Sequence, residues 1–374
     1  MRSDLPGKHA ARVAVLIPTY NRSHFLTGAI ESVLGQSFSD FTLTICDNAS
    51  TDDTAEVVRG FRDPRLRYVR HEENLGALRN FQYCLSHADG EFVKLMTDDD
   101  VLHSTAIERA VATLDENPRV GMVHTAFDCV GAHGEPLMMG HNWTHTLRTS
   151  AIESGERFIR ESMRWSSRVN IATALFRSVA VPDVGLVAAD WPATDLGLWM
   201  RIARAWDVAF LAMPTVTMPF HAGGVSAQEL GAFTGMGYRK TRQAADNVLD
   251  VKRRFLDESG DRVGGGRELM RLARKRRREE LITAARDTGQ AAGRASVALR
   301  ALASTARDEP LVLAHPVVYK DIAMAMVGPR AAGRLRELKR ARRRPRAHDY
   351  HADPSEDRHA IPAPGTDDRI EVNS

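Results

Sequence analysis

Apolar residues in the first third of the chain alternate between strand-like runs and helix-spaced stripes. Val13 to Pro18 is almost unbroken apolar sequence and predicts a buried strand. Ser23 can cap a helix whose apolar face is Phe25, Leu26, Ile30, Val33 and Leu34. Phe41 to Ile45 predicts a second strand, Asp52 and Asp53 open a helix through Val57, Val58 and Phe61, and Leu66 to Val69 predicts a third strand. A helix over Leu78 to Leu85 and a buried strand over Glu91 to Met96 complete the series. Strand and helix in strict alternation define an α/β chain with a mostly parallel sheet.

Beyond Met96 the rhythm loosens. Ile107 to Leu114 reads as helix, Gly121 to Phe127 as strand, 131–150 as a long polar loop, and Glu153 to Trp165 as helix. Ile171 to Phe176 predicts a strand, Leu196 to Ala205 a helix, and Val208 to Leu211 and Val216 to Met218 two short strands. From about residue 240 the pattern is helical and rich in Arg and Ala, with a break at Pro310 to Pro316. After residue 346, Pro, Asp and His dominate, a composition expected to stay disordered.

Three of the strands end in polar or acidic residues: Thr19-Tyr20-Asn21, Asp47-Asn48-Ala49-Ser50, and Thr97-Asp98-Asp99-Asp100. Open α/β sheets bind ligands outside the carboxyl ends of their strands. A tyrosine, an aspartate and an acidic cluster at such ends suit a nucleoside diphosphate held with a divalent metal. The acidic cluster could instead serve as a helix start, since Asp favours helix N-termini.

Composition narrows this picture. With 43% hydrophobic and 26% charged residues, the 374-residue chain reads as a globular protein of one large domain plus an appendage, or of two domains. It has no apolar run of spanning length, and Met1 to Pro6 lacks a signal-peptide core, so a cytoplasmic location is expected. Cys46, Cys84 and Cys129 are widely spaced among apolar neighbours and read as buried thiols. The net charge of +3 conceals an asymmetry. Residues 1–266 sum to about −5, residues 267–346 to about +13 and the remainder to about −5, so an anionic partner surface is expected for the basic stretch.

Together, Ile17-Pro18-Thr19-Tyr20-Asn21, Asp47 with Ser50-Thr51-Asp52, Asn74-Leu75-Gly76 with Arg79-Asn80, Ala88 to Val93 and the Asp cluster resemble family 2 glycosyltransferases over about residues 11–230. The resemblance implies the GT-A nucleotide-diphospho-sugar transferase fold, Rossmann-like around a mostly parallel central sheet, here with a C-terminal helical extension. It divides the chain into an N-terminal extension (1–10), a GT-A domain (11–235), a basic helical extension (236–345) and a tail (346–374). It implies that Pro18, Thr19, Tyr20 and Asn21 line the nucleotide-sugar site, with Tyr20 stacking on the base and Asp47 bonding its edge. Asn74, Gly76 and Arg79 match a stretch on the nucleotide side. Thr97 departs from the family pattern, which often has an acid there; Asp98 is then assigned to ribose or metal, Asp99 to the metal, and Asp100 to support.

A second motif, Thr194-Asp195-Leu196-Gly197-Leu198-Trp199, matches the family's helix start and implies Asp195 as catalytic base, although Thr194 stands where an acid often precedes it. Asp190 is the fallback base. His221, after the last strand, matches a diphosphate or metal contact, and Gly223-Gly224 would let that loop close over the donor. Trp143, Trp165 and Trp191 could line an acceptor or simply pack.

The implied activity is metal-dependent (Mn2+ or Mg2+) transfer of a sugar from a nucleoside-diphosphate sugar to an acceptor hydroxyl with inversion. A UDP-sugar is favoured, and dTDP- or GDP-sugars are possible. The acceptor could be a saccharide, a lipid-linked glycan or a natural-product aglycone. Basic helices around Arg271 to Arg278 and Arg336 to Arg344 suit peripheral membrane association. No nucleic-acid-reading motif is present. The chain lacks the Gly-rich phosphate loop of nucleotidyltransferases and the G-x-G-x-x-G of dehydrogenases after its first strand. A non-catalytic nucleotide- or glycan-binding protein on the same scaffold is the remaining alternative.

Overall fold

The computed structural model describes residues 11–131, 133–141, 147–165, 168–181, 190, 193–220, 238–291, 295–308, 310–313, 315, 318 and 371–372. His221, Gly223, Gly224, Trp143, Trp191, the stretch 1–10 and the second basic stretch lie outside them. The chain forms two compact units, one within Met1–Gly231, Gln243–Arg277 and Ile370–Ser374, the other within Ala232–Arg242 and Arg278–Arg369.

The first unit is built on a sheet to which the described residues contribute eleven strands. Strands β1 (Val13–Thr19), β2 (Phe41–Asp47), β3 (Leu66–Arg70) and β4 (Phe92–Leu95) are parallel in the order β3-β2-β1-β4. Helices α1 (Ser23–Leu34), α2 (Thr54–Gly60) and α3 (Ala77–Ser86) connect them. All of β1 is buried because helices cover both faces, which is why its sequence is an apolar run rather than an alternation. The parallel register aligns Thr19 with Asp47 and Asp47 with Arg70, so the polar strand ends share one edge of the sheet.

The second half of the sheet departs from the expected elements. A two-residue strand β5 (Val101–Leu102) precedes α4 (Ala106–Glu116) and the long β6 (Val120–Val130). The stretch expected as loop contains β7 (Pro136–His141), an edge strand antiparallel to β6. The expected helix from Glu153 is β8 (Ala151–Glu153) followed by α5 (Gly155–Arg164), whose start is capped by the Ser154 side chain. β9 (Leu175–Arg177) runs antiparallel between β4 and β6 and joins the two halves. Helix α6 (Thr194–Ala203) precedes β10 (Asp207–Pro219), one irregular strand where two were expected; its register shifts around Pro214. β11 (Glu371–Val372) adds at the β8 edge. The Cys46, Cys84 and Cys129 thiols are free and buried, as expected.

Helices α7 (Tyr238–Ser259) and α8 (Gly266–Ala291) follow. Within the first unit, Val251 and Phe255 of α7 and Leu269 and Ala273 of α8 bury in one cluster with Leu196, Leu198 and Trp199 of α6. The second unit is helical. Ile282, Ala285, Ala301, Leu302, Val312 and Val318 form its core, partly from α9 (Ala295–Asp308), and the Tyr238 hydroxyl bonds that of Thr305.

Candidate donor and catalytic site

The ends of β1 and β4 meet through side chains. Thr19 Oγ1 donates to Asp98 Oδ2 at 2.8 Å, and Arg22 Nη1 reaches Asp99 Oδ2 at 2.6 Å and Asp98 Oδ1 at 3.5 Å. Thr97 donates its hydroxyl to Asp100. Asp98 and Asp100 are almost fully buried. Desolvation raises Asp98 to about 6 and Asp100 to about 7, with the neighbouring Asp99 adding to both, while Thr19 and Arg22 pull Asp98 back down. Beneath them Lys94, also buried, donates to the Ala172 carbonyl at 2.5 Å and the Ala174 carbonyl at 3.3 Å. Burial lowers its amine to about 7.

The loops after β1 and β2 are tied together. The Asn21 amide donates to Ser50 Oγ at 2.9 Å, and Asn21 Oδ1 accepts from the Thr51 amide at 2.7 Å. Asn21 and Ala49 hold positive φ of 53° and 63°, left-handed backbone that is common for Asn and rare for Ala. Asp52 accepts from the Ser23 amide and from Thr54; these bonds outweigh desolvation and hold it at about 2.

At the expected base-binding edge, Asp47 Oδ1 accepts from the Ser50 amide at 2.8 Å and Oδ2 from the Tyr68 hydroxyl at 2.5 Å, with Arg70 Nε 3.5 Å away. Burial and that carboxylate push the Tyr68 phenol up. Tyr20 is 43% exposed, while Pro18 is buried in β1. Asn74 Oδ1 accepts from Asn48 Nδ2 and from the Gly76 amide, and Gly76 starts α3 at φ 81° and ψ 156°, backbone reserved for glycine. Arg79 is exposed on α3.

Asp195 stands on the first turn of α6 and is not hydrogen-bonded to the donor-end set among the described residues. The Leu196 amide donates to its Oδ1 at 2.8 Å. Desolvation nevertheless raises the carboxyl to about 6, close to neutral pH, where a general base works best. Asp190 does not fit the role of fallback base. It is fully buried and takes Arg201 Nη1 at 2.7 Å and Arg254 Nε at 3.0 Å, so both oxygens are engaged.

Sequence reasoning assigned no donor-site role to Arg22, Tyr68, Arg70 or Lys94. Arg22 directly follows Asn21 in the same loop, and β3 pairs Tyr68 with Ile45 and Arg70 with Asp47. That pairing was the available signal. Arg276 lies over the Trp165 ring at 5.1 Å.

The acidic cluster fits a divalent cation shared with a ligand. Asp98 and Asp100 are buried on either side of Asp99 in the chain, and Arg22 pairs with both Asp98 and Asp99. No group of three or more His, Cys, Asp or Glu side chains among the described residues could enclose a metal. A hard cation held by one or two carboxylates and completed by diphosphate oxygens suits this arrangement.

The α/β sheet with an acidic cluster at its carboxyl edge has the GT-A nucleotide-diphospho-sugar transferase fold, as its likeness to solved structures shows. Residues 14–170 match the family model of glycosyl transferase family 2. The Bacillus subtilis (strain 168) protein EpsE is 29% identical over 174 residues, 41% of this chain and 63% of that one. An Escherichia coli UDP-Glc:alpha-D-GlcNAc-diphosphoundecaprenol beta-1,3-glucosyltransferase is 30% identical over 105 residues, 28% of this chain and 42% of that one. The curated relatives that match first are spanned over 22% to 63% of their own lengths. Among solved structures, the mannosyltransferase PcManGT of Pyrobaculum calidifontis, in complex with GDP-Man and Mn2+, superposes with a TM-score of 0.52 at 18% identity, over 85% of this chain and 81% of that one. This likeness shows the shared fold. Among the described residues, no helix is long and apolar enough to cross a membrane.

Proposed function

We propose that this chain is a glycosyltransferase that moves a sugar from a nucleoside-diphosphate sugar, with UDP favoured, to an acceptor hydroxyl with inversion. The observation that carries the reading is the junction of Thr19, Arg22, Asp98 and Asp99 across the β1 and β4 ends. Tyr20 would stack on the base and Asp47 accept from its edge, held in place by Ser50 and Tyr68. Pro18, Asn21, Asn74, Gly76 and Arg79 would complete the nucleotide side, and Asp98 would take the ribose or share the metal. Asp99, with Asp98 and by family resemblance His221, would hold Mn2+ or Mg2+. Bound there, the ion would offset the charge that develops on the departing diphosphate. Asp195 would take the proton as the acceptor oxygen attacks the anomeric carbon. The bond from that carbon to phosphate oxygen breaks and its electron pair leaves with the diphosphate; attack opposite the leaving group inverts the centre.

A lipid-linked glycan is the favoured acceptor, in line with the diphosphoundecaprenol substrate in the Escherichia coli relative's name. Peripheral attachment at the cytoplasmic face of a membrane would suit it. Exposed Arg271 and Arg274 would contribute, whereas Arg276 and Arg277 are engaged by Trp165 and Asp246. Residues 11–235 are taken as the catalytic domain.

Thermal unfolding with UDP, GDP, dTDP and CDP, with and without Mn2+ or Mg2+, tests the reading. A nucleotide at about 100 times its Kd should add roughly 2.7 kcal/mol. The expected result is a metal-dependent shift with UDP that Asp99→Ala abolishes. Binding without any turnover of the corresponding sugar nucleotides would favour a non-catalytic binding protein, and no shift with any nucleotide would overturn the donor site.

A further inference from the structure

The described residues hold a buried charge cluster that the proposed chemistry does not use. Asp190, which is fully buried, takes Arg201 Nη1 from α6 at 2.7 Å and Arg254 Nε from α7 at 3.0 Å. Arg201, whose side chain is 3% exposed, also places Nη2 at 3.1 and 3.0 Å from the two Glu258 oxygens, and its Nε at 3.1 Å. Arg254 and Glu258 lie four residues apart on one face of α7, and both reach the Asp190–Arg201 pair.

This cluster braces helix α6 from the side. Helix α6 begins after Ala193, which makes no side-chain capping bond. Its first turn is held from the side instead. A Cβ placed on Gly197 would come 2.4 Å from Asp190 Oδ2 and 2.6 Å from Arg201 Nη1, so the Asp190 carboxylate fills the space a side chain at 197 would need. Asp195 sits two residues before that contact. Helix α7 is itself fixed to the body of the unit: Val251 and Phe255 are fully buried, and Lys252 Nζ donates to the Trp165 carbonyl at 2.8 Å and the Met163 carbonyl at 3.3 Å at the end of α5.

We infer that Arg254 and Glu258 of α7, acting through Asp190 and Arg201, are positioning residues that set the placement of Asp195. Helix α7 lies beyond both residues 14–170 and the expected catalytic domain, and on this inference it is an integral part of the catalytic unit. The inference rests on Asp195 being the base of the proposed transferase.

The test uses the full chain with UDP-glucose and Mn2+, reading UDP release with water as acceptor, donor KM, UDP affinity and thermal unfolding. The variants are Arg254→Gln, Arg254→Lys, Glu258→Gln and Asp195→Asn. Displacing a reacting group by about an ångström can cost on the order of 100-fold. Arg254→Gln should therefore lower kcat by roughly 10- to 100-fold while donor KM and UDP affinity stay within about twofold. Arg254→Lys should restore part of the loss. Glu258→Gln removes a half-exposed partner without leaving a buried charge unpaired. It should fold in any case and lower kcat in the same direction by a smaller factor.

A normal kcat in folded Arg254→Gln and Glu258→Gln, with only a lower unfolding temperature, would overturn the inference and leave Asp195 as the base, provided that Asp195→Asn is inactive. If Asp195→Asn turns over like the unaltered chain, the assignment of the base fails, and this inference fails with it. Absence of UDP release from the unaltered chain, despite tight UDP binding, would overturn both.

Discussion

The raised carboxyl of Asp195 predicts two effects of opposite sign. Its ordinary value of 3.8 is moved to about 6 by desolvation, only partly opposed by the backbone amides of Leu196 and of Asp195 itself. As a base it must be ionised. At saturating donor, kcat should fall roughly tenfold from about pH 7.5 to about pH 5, where a carboxyl at its ordinary value would lose under about a tenth of its ionised form. For stability, the folded chain holds a proton at Asp195 that the unfolded chain has already released between about pH 4 and pH 6. Unfolding free energy therefore declines as pH rises through that window. The shift of about two units corresponds to about 3 kcal/mol, an upper figure for what ionising Asp195 costs the fold at neutral pH. Asp195→Asn replaces the charge with a neutral group of the same shape. It should lose roughly 100- to 10,000-fold in kcat, yet resist urea better than the unaltered chain at about pH 7.5, with the advantage vanishing near pH 4. Urea titrations across pH, beside kcat profiles from UDP release, measure both. An Asn variant less stable at neutral pH, or an acid limb of kcat centred near 4, would refute the assignment of Asp195 to a desolvated catalytic position.

Other expectations follow from single contacts. Thr19→Val keeps the shape of a buried side chain but removes the hydroxyl that Asp98 accepts from at 2.8 Å; it should cost about 1–3 kcal/mol in urea unfolding and weaken UDP–Mn2+ binding by calorimetry. Tyr68→Phe strips one of the donors that orient Asp47, and should reduce UDP affinity several-fold with about 1 kcal/mol lost in stability. Gly76→Ala meets no neighbouring atom, so backbone strain alone at φ 81° decides the outcome; a loss of about 1–3 kcal/mol in thermal or urea unfolding is expected.

β1 was legible because a parallel strand covered on both faces is apolar nearly throughout, and Val13 to Thr19 is buried at every position; β2 and β3 were legible from apolar residues alternating with polar ones. The later elements were not, for identifiable reasons. β7 is an exposed edge strand, so its Leu137 and Met139 sit in a polar, glycine-containing context that reads as loop. β10 is a single strand, but Pro214 and the register shifts around it break the pattern that marks a continuous run. At the site, motif residues such as Thr19 and Asp98 came together as expected because the register of β1 and β4 brings their ends to one edge. Asp190 was misread because nothing in its local sequence announces that Arg201 and Arg254, 11 and 64 positions away, close on it. Burial by distant partners, unlike a strand-end motif, leaves no local pattern.

The electrostatics of the donor end also explain why the acidic cluster follows a buried strand instead of sitting on an exposed loop. Asp98 and Asp100 are shielded from water, and Asp99 lies between them, so desolvation and mutual repulsion both favour neutral forms. Arg22 offsets part of this at Asp98 and Asp99, and Lys94 attracts Asp100 from below while its own amine is pulled to about 7. Near neutral pH, Asp98 and Asp100 are thus not both fully ionised. Such a cluster is poor as a structural cap, which works best with ionised, solvated acids. It is well suited to a cation that arrives with an anionic ligand, because the cation would relieve the repulsion among neighbouring carboxylates. The same burial that raises Asp98 and Asp100 in the ligand-free chain would strengthen the hold on a metal–diphosphate pair.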